Sequence, residues 1–139
     1  MTKQELKAYL MRVRYAVRAE ERIIEQILRL RERVTSLTKQ LSDMPRGGSP
    51  YTLEDYVCDL DKLERQLGAE LEKEREAFRD VLILLSKLEP VPQDIMIDYY
   101  LNDKTWEEIA IAYGKSYRWV QGIHKKSLEE ILKLHIFSH

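Results

Sequence analysis

The chain is poor in the residues that punctuate or cross-link a fold: one cysteine, five glycines and four prolines in 139 residues. A lone Cys58 excludes an internal disulfide and fits a reducing cytoplasm, the compartment expected here. The longest apolar run, Val81 to Leu85, is far too short to span a bilayer, so no membrane association is expected. The opening MTKQELKAYLMRVR is too charged for a secretion signal. A formal net charge of −1 excludes a uniformly basic nucleic-acid coat. The carboxylates are spread along helix surfaces, and neither a phosphate-cradling glycine loop nor a nucleophile elbow is present. No enzymatic activity, catalytic residue, cofactor or small-molecule substrate is therefore expected. His135 and His139 are four apart, as metal ligands can be, but no third ligand accompanies them and no metal is assigned.

What is present is charge and helical periodicity. Charged residues make up 34% of the chain, a composition that suits long helices. Residues 2 to about 43 contain no Pro or Gly. Their apolar stripe runs Leu6, Tyr9, Val13, Ala16, Ile23, Ile27, Leu30, Val34, Leu37, Leu41, Met44, interrupted at Glu20. This predicts a single long helix of roughly 60 Å. Leu10, Val17, Ile24 and Leu28 widen the stripe and predict a second neighbour. SDMPRGGSP, residues 42–50, stops the helix and allows a reversal. A second long helix is expected from Thr52, as its cap, to about Leu88. Its stripe is Leu53, Tyr56, Leu60, Leu63, Leu67, Leu71, Phe78, Val81, Leu85, Leu88, with Cys58 at a core or boundary position. Residues 1–46 carry eleven Lys/Arg against six Asp/Glu, and residues 47–89 carry six against eleven. Opposite charge on the two arms favours an antiparallel hairpin.

Residues 105–127, TWEEIAIAYGKSYRWVQGIHKKS, read as two short helices joined by a glycine turn. Helices crossing at about 100° need a small residue at the contact and a glycine at the reversal. Ala110 and Gly114 stand at those places, with Ile109, Tyr113, Val120 and Ile123 at the buried ones. Thr105 and Glu108 can form a capping box, and Ser116 can cap the second helix. A preceding helix is expected from about Pro92 to Tyr100 or Leu101. Lys115 to Ser127 holds four basic residues and no acid, which puts positive charge where DNA phosphates would lie. The expected fold is all-α: a long helical hairpin over residues 1–89, acting as brace and partner-binding surface, then a helix-turn-helix head over 90–139.

YLNDKTWEEIAIAYGKSYRWVQGIHKKSLEEIL, residues 100–132, resembles the promoter-reading helix-turn-helix of bacterial sigma factors. The resemblance rests on Glu108-Ile109-Ala110, the Gly114 turn, Ser116, Val120 and Lys126-Ser127-Leu128. The whole chain is similar to small sigma-like proteins of phages and prophages of Gram-positive bacteria. Those combine a helical hairpin, an LSDMPRGGS-like turn (Leu41 to Ser49 here) and a head with KTWEEIA and SYR-x-V-x-x-IH segments. The resemblance implies a late-gene type of transcriptional regulator. No segment resembles the part of a sigma factor that melts the promoter or binds the polymerase clamp, so an accessory or activator role is implied.

A helix starting near Ser116 and pinned inward by Val120, Ile123 and Ser127 would turn Arg118, Gln121, Gly122 and Lys125 outward, with Tyr117 and Lys126 flanking. Arg can read guanine and Gln adenine in the major groove. Lys115, Lys125 and Lys126 suit phosphates, and Gly122 would allow close approach to the groove. Trp119 is expected to pack on the preceding helix, Trp106 to pack beside its cap, and His124 to lie at the surface. Double-stranded DNA is the expected partner. Host RNA polymerase and a second copy of the chain, joined through the long helices, are the candidate protein partners. Two rival functions remain open at this point: a DNA-packaging adaptor resembling a small terminase subunit, and a protein-interaction module without DNA binding. Solution mass separates the first, since packaging adaptors assemble as rings; alanine substitution of Arg118 and Lys125 tests the second.

Overall fold

The computed structural model describes residues 1–43 and 51–137, and these residues form an all-α fold. Six helices follow in order: α1 (Lys3–Leu10), α2 (Arg12–Asp43), α3 (Leu53–Leu85), α4 (Pro90–Tyr100), α5 (Trp106–Tyr113) and α6 (Tyr117–Phe137). The glycine-proline turn expected between the long helices, with Met44, lies outside the described residues, as do His139 and the side chains of Leu37 and Leu41. None of the described helices is long and apolar enough to cross a membrane.

Two compact units account for the chain: Met1–Tyr15 with Lys73–His139, and Ala16–Glu72. This division differs from the expected boundary at residue 89. The reason is that α1 packs on α6, which draws the first residues into the same unit as the last helices.

In the first unit, α6 packs against α1, α4 and α5. Leu6, Leu10, Val13, Val81, Leu85, Ile95, Met96, Tyr100, Ile109, Val120, Leu128 and Ile131 are fully enclosed. The single helix expected over residues 2–43 is interrupted at Met11, although no Pro or Gly is there. The interruption is one residue deep: the Met11 N–H still donates to the Lys7 carbonyl at 2.9 Å, and the Tyr15 N–H to the Met11 carbonyl at 3.0 Å. Contact of α1 with α6 accompanies this break, a tertiary influence that local propensity does not register. Thr2 caps α1 by accepting from the Glu5 N–H at 3.1 Å. Arg12 pairs with Asp80 at 2.9 Å, tying the start of α2 to the last turns of α3.

Helix α3 ends at Leu85, three residues before the expected Leu88, and the chain tightens into short turns. The Leu88 N–H donates to the Leu85 carbonyl at 3.0 Å, and the Gln93 side chain donates to that same carbonyl at 3.2 Å. Helix α4 starts at Pro90, earlier than Pro92. Both prolines fall in its first turn, where a missing N–H costs no ladder bond.

In the second unit, the Thr52 hydroxyl accepts from the Asp55 N–H at 3.1 Å, and the Asp55 carboxylate accepts from the Thr52 N–H at 2.9 Å. This reciprocal cap starts α3, and it holds the Asp55 carboxyl below its ordinary range. Tyr51 donates to Asp59 at 2.8 Å, and the Arg33 guanidinium covers the Tyr51 ring at 4.6 Å. Ala16, Ile23 and Ile27 are buried on α2, and Glu20, the expected break in the stripe, is buried with them. Cys58 is exposed rather than at the core boundary. At 100° per residue it sits about 200° round the helix from half-buried Tyr56. Leu53 and Leu71, expected on the buried stripe of α3, are exposed as well, and so is Phe78 on the part of α3 that belongs to the first unit.

Candidate nucleic-acid interface

The candidate surface is built on α5, its glycine turn and the first three turns of α6. The start of α5 is fixed by a complete capping box. The Thr105 hydroxyl accepts from the Glu108 N–H at 3.1 Å, and the Glu108 carboxylate accepts from the Thr105 N–H at 3.3 Å. Its end is fixed by Gly114 at φ 62°, a left-handed conformation that glycine adopts without a Cβ clash. The Lys115 N–H returns to the Ala110 carbonyl at 3.0 Å and the Gly114 N–H to the Ile111 carbonyl at 3.1 Å. These are the two bonds of a Schellman closure. Two residues later the Ser116 hydroxyl accepts from the Trp119 N–H at 3.1 Å and starts α6.

Packing then sets which side of α6 faces out. Ile95, Ile109, Ala110 and Val120 form a closed core, with Tyr99, Trp106, Tyr113, Trp119 and Ile123 packed around it. Ala110 is the small residue expected where α5 meets α6. Trp119 lies half-buried against this core, which includes Ile95 of α4. Trp106 stacks on Tyr99 with ring centres 3.7 Å apart. On α6, Val120, His124, Ser127, Leu128 and Ile131 are buried. The opposite side holds Arg118, Gly122, Lys125 and Lys126, all exposed. Tyr117 is 49% exposed at the helix start. Gln121 is half-buried at the edge of this face rather than fully outward. Apart from its chain neighbours and its own helix's backbone, no described atom lies within 4 Å of where a Cβ on Gly122 would stand, so the packing of this chain does not require glycine there.

The electrostatics of this surface change along the helix. Lys115 places its ammonium over the Trp119 ring at 5.6 Å. Among the described residues no ion pair takes Arg118, Lys125 or Lys126. Beyond Lys126 the surface turns mixed: Lys126 lines a shallow groove with Glu89, Glu129, Glu130 and Lys133. Glu129 in turn pairs with Lys3 at 3.6 Å. The basic patch therefore ends one turn after Lys125.

His124 corrects the expectation of a surface histidine. It is buried, its Nε2 lies 2.6 Å from the Tyr100 hydroxyl, and Trp106 packs on it at 4.6 Å. Burial, followed by the charges of Lys7 and Lys3, pushes its pKa down to about 4. It is a neutral latch between α4 and α6 at neutral pH, while burial raises the Tyr100 hydroxyl pKa. The helical spacing of Val120, His124, Ser127 and Ile131 puts this position on the buried face of α6, but the residue type did not mark it, because a histidine tolerates both surface and core.

Arg14 was also missed as a contributor. It donates to the Tyr99 carbonyl at 3.4 Å, pairs with Asp103 at 2.9 Å and covers the Tyr99 ring at 4.5 Å. It thereby fastens the α4–α5 turn, where Asp103 holds a left-handed φ of 56°. An arginine 85 residues from its partner leaves no local pattern to read.

The side chain of His135, like residue His139, lies outside the described residues. Among the described residues no group of three or more His, Cys, Asp or Glu is placed to hold a metal ion. Comparison with protein-family models, with curated proteins and with solved structures returns no match to this chain.

Proposed function

We propose that this chain is a sequence-reading regulator of transcription, of the sigma-like phage type, that binds double-stranded DNA through the exposed face of α6. The observation that carries the reading is one helix side on which Arg118, Gly122, Lys125 and Lys126 stand together, exposed and, among the described residues, with no ion pair taking the three cations. That side belongs to the second helix of a pair in which the start of the first helix, the glycine turn and the start of the second helix are each fixed by a cap. In such a pair the second helix enters the major groove with its N-terminal residues on base edges. Arg118 reads a guanine, Gln121 an adenine from the margin of the face, and Lys125 and Lys126 hold phosphates. Ser116 and Tyr117 lie at the helix start, where Tyr117 meets a base or sugar edge and Lys115 approaches the backbone. The protein acts by adding promoter contacts or recruiting host RNA polymerase, with no chemistry of its own. The long helices serve as a brace, and the Arg33–Tyr51 and Arg12–Asp80 contacts support their reading as an antiparallel hairpin.

The test is binding of the purified chain to fluorescent fragments tiled across its own genomic neighbourhood, with a salt titration. One fragment is expected to bind far above the rest. Lys125→Ala should lower the slope of log affinity against log salt by about 0.9, the contribution of one phosphate. Arg118→Ala should weaken the best fragment by about 1–3 kcal/mol and relax preference at one base pair. Weak, equal binding to every fragment, or wild-type binding by both variants, would overturn the assignment.

A further inference from the structure

The unit Ala16–Glu72 gathers arginines on one side of α2. At 100° per residue, Arg18, Arg22, Arg29 and Arg33 fall within an arc of about 60°. All four are exposed. They form a ridge that rises about 23 Å along the helix from first to last. No Asp or Glu stands inside the arc. Glu25 borders it and pairs with Arg29 at 2.7 Å, while Glu21 and Glu32 lie further round, on the side away from α3. Among the described residues no ion pair takes Arg18, Arg22 or Arg33. Arg33 lies over the Tyr51 ring at 4.6 Å.

Towards α3 the ridge borders a shallow groove shared by the two helices. Lys62 adds a further cation there, and Asp59 is occupied by the Tyr51 hydroxyl at 2.8 Å. Gln26 and Gln66 line the same groove with amides. Arg18–Arg22 and Arg29–Arg33 are like-charge pairs at i,i+4, a spacing that destabilises an isolated helix. An extended anion lying along the ridge relieves both pairs at once.

The chemistry of the ridge selects that anion. It exposes no apolar side chain, and Ile24 and Leu28 stand more than about 100° round α2 from its centre. Protein interfaces are built on an apolar core, so an acidic protein finds little to hold here. A phosphate backbone binds through charge alone, by releasing its condensed counterions. Arginine, not lysine, fills all four places, and its planar fork matches phosphate oxygens two at a time. Single strands are held largely by stacking on free aromatic rings. The rings of this unit are Tyr51, already under Arg33, and half-buried Tyr56. We propose that the arginine ridge of α2 is a second DNA-contacting surface, gripping the backbone of duplex DNA without reading its sequence. Its length matches about seven base pairs of rise.

The experiment is fluorescence anisotropy of the full chain on a labelled duplex of about 30 base pairs and unrelated sequence, with salt raised from about 50 to 200 mM. Arg18→Gln, Arg22→Gln and Arg33→Gln should each lower the slope of log affinity against log salt by about 0.9, and the triple variant by about three times that. All three residues are exposed, so helical circular dichroism should not change. Arg22→Lys retains the charge and should keep the slope. Arg31→Gln, exposed on the opposite side of α2, should keep it too. A wild-type chain that binds no unrelated duplex, a triple variant with the wild-type slope, or a loss in Arg31→Gln equal to that in Arg22→Gln would overturn the proposal. Polyglutamate competing as well as the duplex at equal charge, or tighter binding of the single strand, would overturn the duplex assignment. The α6 reading fails or stands separately, because ridge variants should weaken every fragment alike, whereas Arg118→Ala relaxes preference among them. A chain without fragment preference whose slope still falls with the ridge removes only the regulatory reading. A chain that keeps its preference while its slope ignores the ridge removes only this proposal.

Discussion

The two units use the same helical alphabet and close their cores to different degrees. Of the 18 buried hydrophobic residues described, 15 belong to the unit formed by Met1–Tyr15 and Lys73 onward, and three to Ala16–Glu72. Length does not explain this, since α2 and α3 are the longest helices in the chain. Geometry does. In the first unit α6 meets α1, α4 and α5, so its apolar positions find neighbours on several sides. Two long helices alone can cover only one side of each, and Ile24, Leu28, Leu53 and Val57 remain in solvent. A long amphipathic stripe in a sequence is therefore evidence for a helix and for a partner, without saying that the partner lies in the same chain.

The sharpest way to break this comparison is truncation in each unit. Ile109→Ala opens a cavity in a sealed core and should lower unfolding free energy by about 2–5 kcal/mol. Leu28→Ala, measured on dilute single-copy protein, should change it by less than about 0.5 kcal/mol. Chemical denaturation measures both. Equal losses would mean that the exposed face is as well packed as the head.

Acid should act on the first unit through His124. Its folded pKa of about 4 lies below the ordinary 6.5, so the unfolded chain binds the extra proton first as pH falls. The stability of the neutral latch is present above pH 6.5 and is lost as pH drops from there through about 4. Denaturation midpoints between pH 7 and pH 4 should fall more steeply for wild type than for His124→Gln. Parallel profiles would show that the latch does not titrate in this window.

Loss of the α5 cap is a smaller perturbation. Thr105→Ala should cost about 1 kcal/mol, read as a lower thermal midpoint, with the Gly114 closure still in place. The smallest expected effect on stability carries the most information about function. Gly122→Ala meets open space on an exposed helical turn and should stabilise the fold by up to about 1 kcal/mol. If α6 approaches DNA closely, the same methyl should weaken DNA binding. Stabilisation without any loss of affinity would move the contact surface away from Gly122.

Much of the head was legible locally. Thr105 with Glu108, Gly114 and Ser116 are short-range devices whose partners lie within five residues, and each took its expected role. The all-α class was legible for a similar reason, since helical periodicity and scarce Gly and Pro act along the chain. The face carrying Arg118, Gly122, Lys125 and Lys126 followed from the inward pull of Val120 and Ser127. Amphipathic patterns were less complete guides in the long helices, where Leu53, Leu71 and Phe78 carry the stripe yet stay exposed.

The sequence by itself determined which segments are helical and where the head starts, turns and caps, because those choices depend on neighbours within a turn or two. Only the tertiary structure decided that Met11 interrupts the first helix, that Arg14 fastens the α4–α5 turn, and that His124 is sealed against Tyr100. Each of these depends on residues distant in sequence, and burial, which sets the protonation of His124, is a property of all the helices that surround a side chain at once.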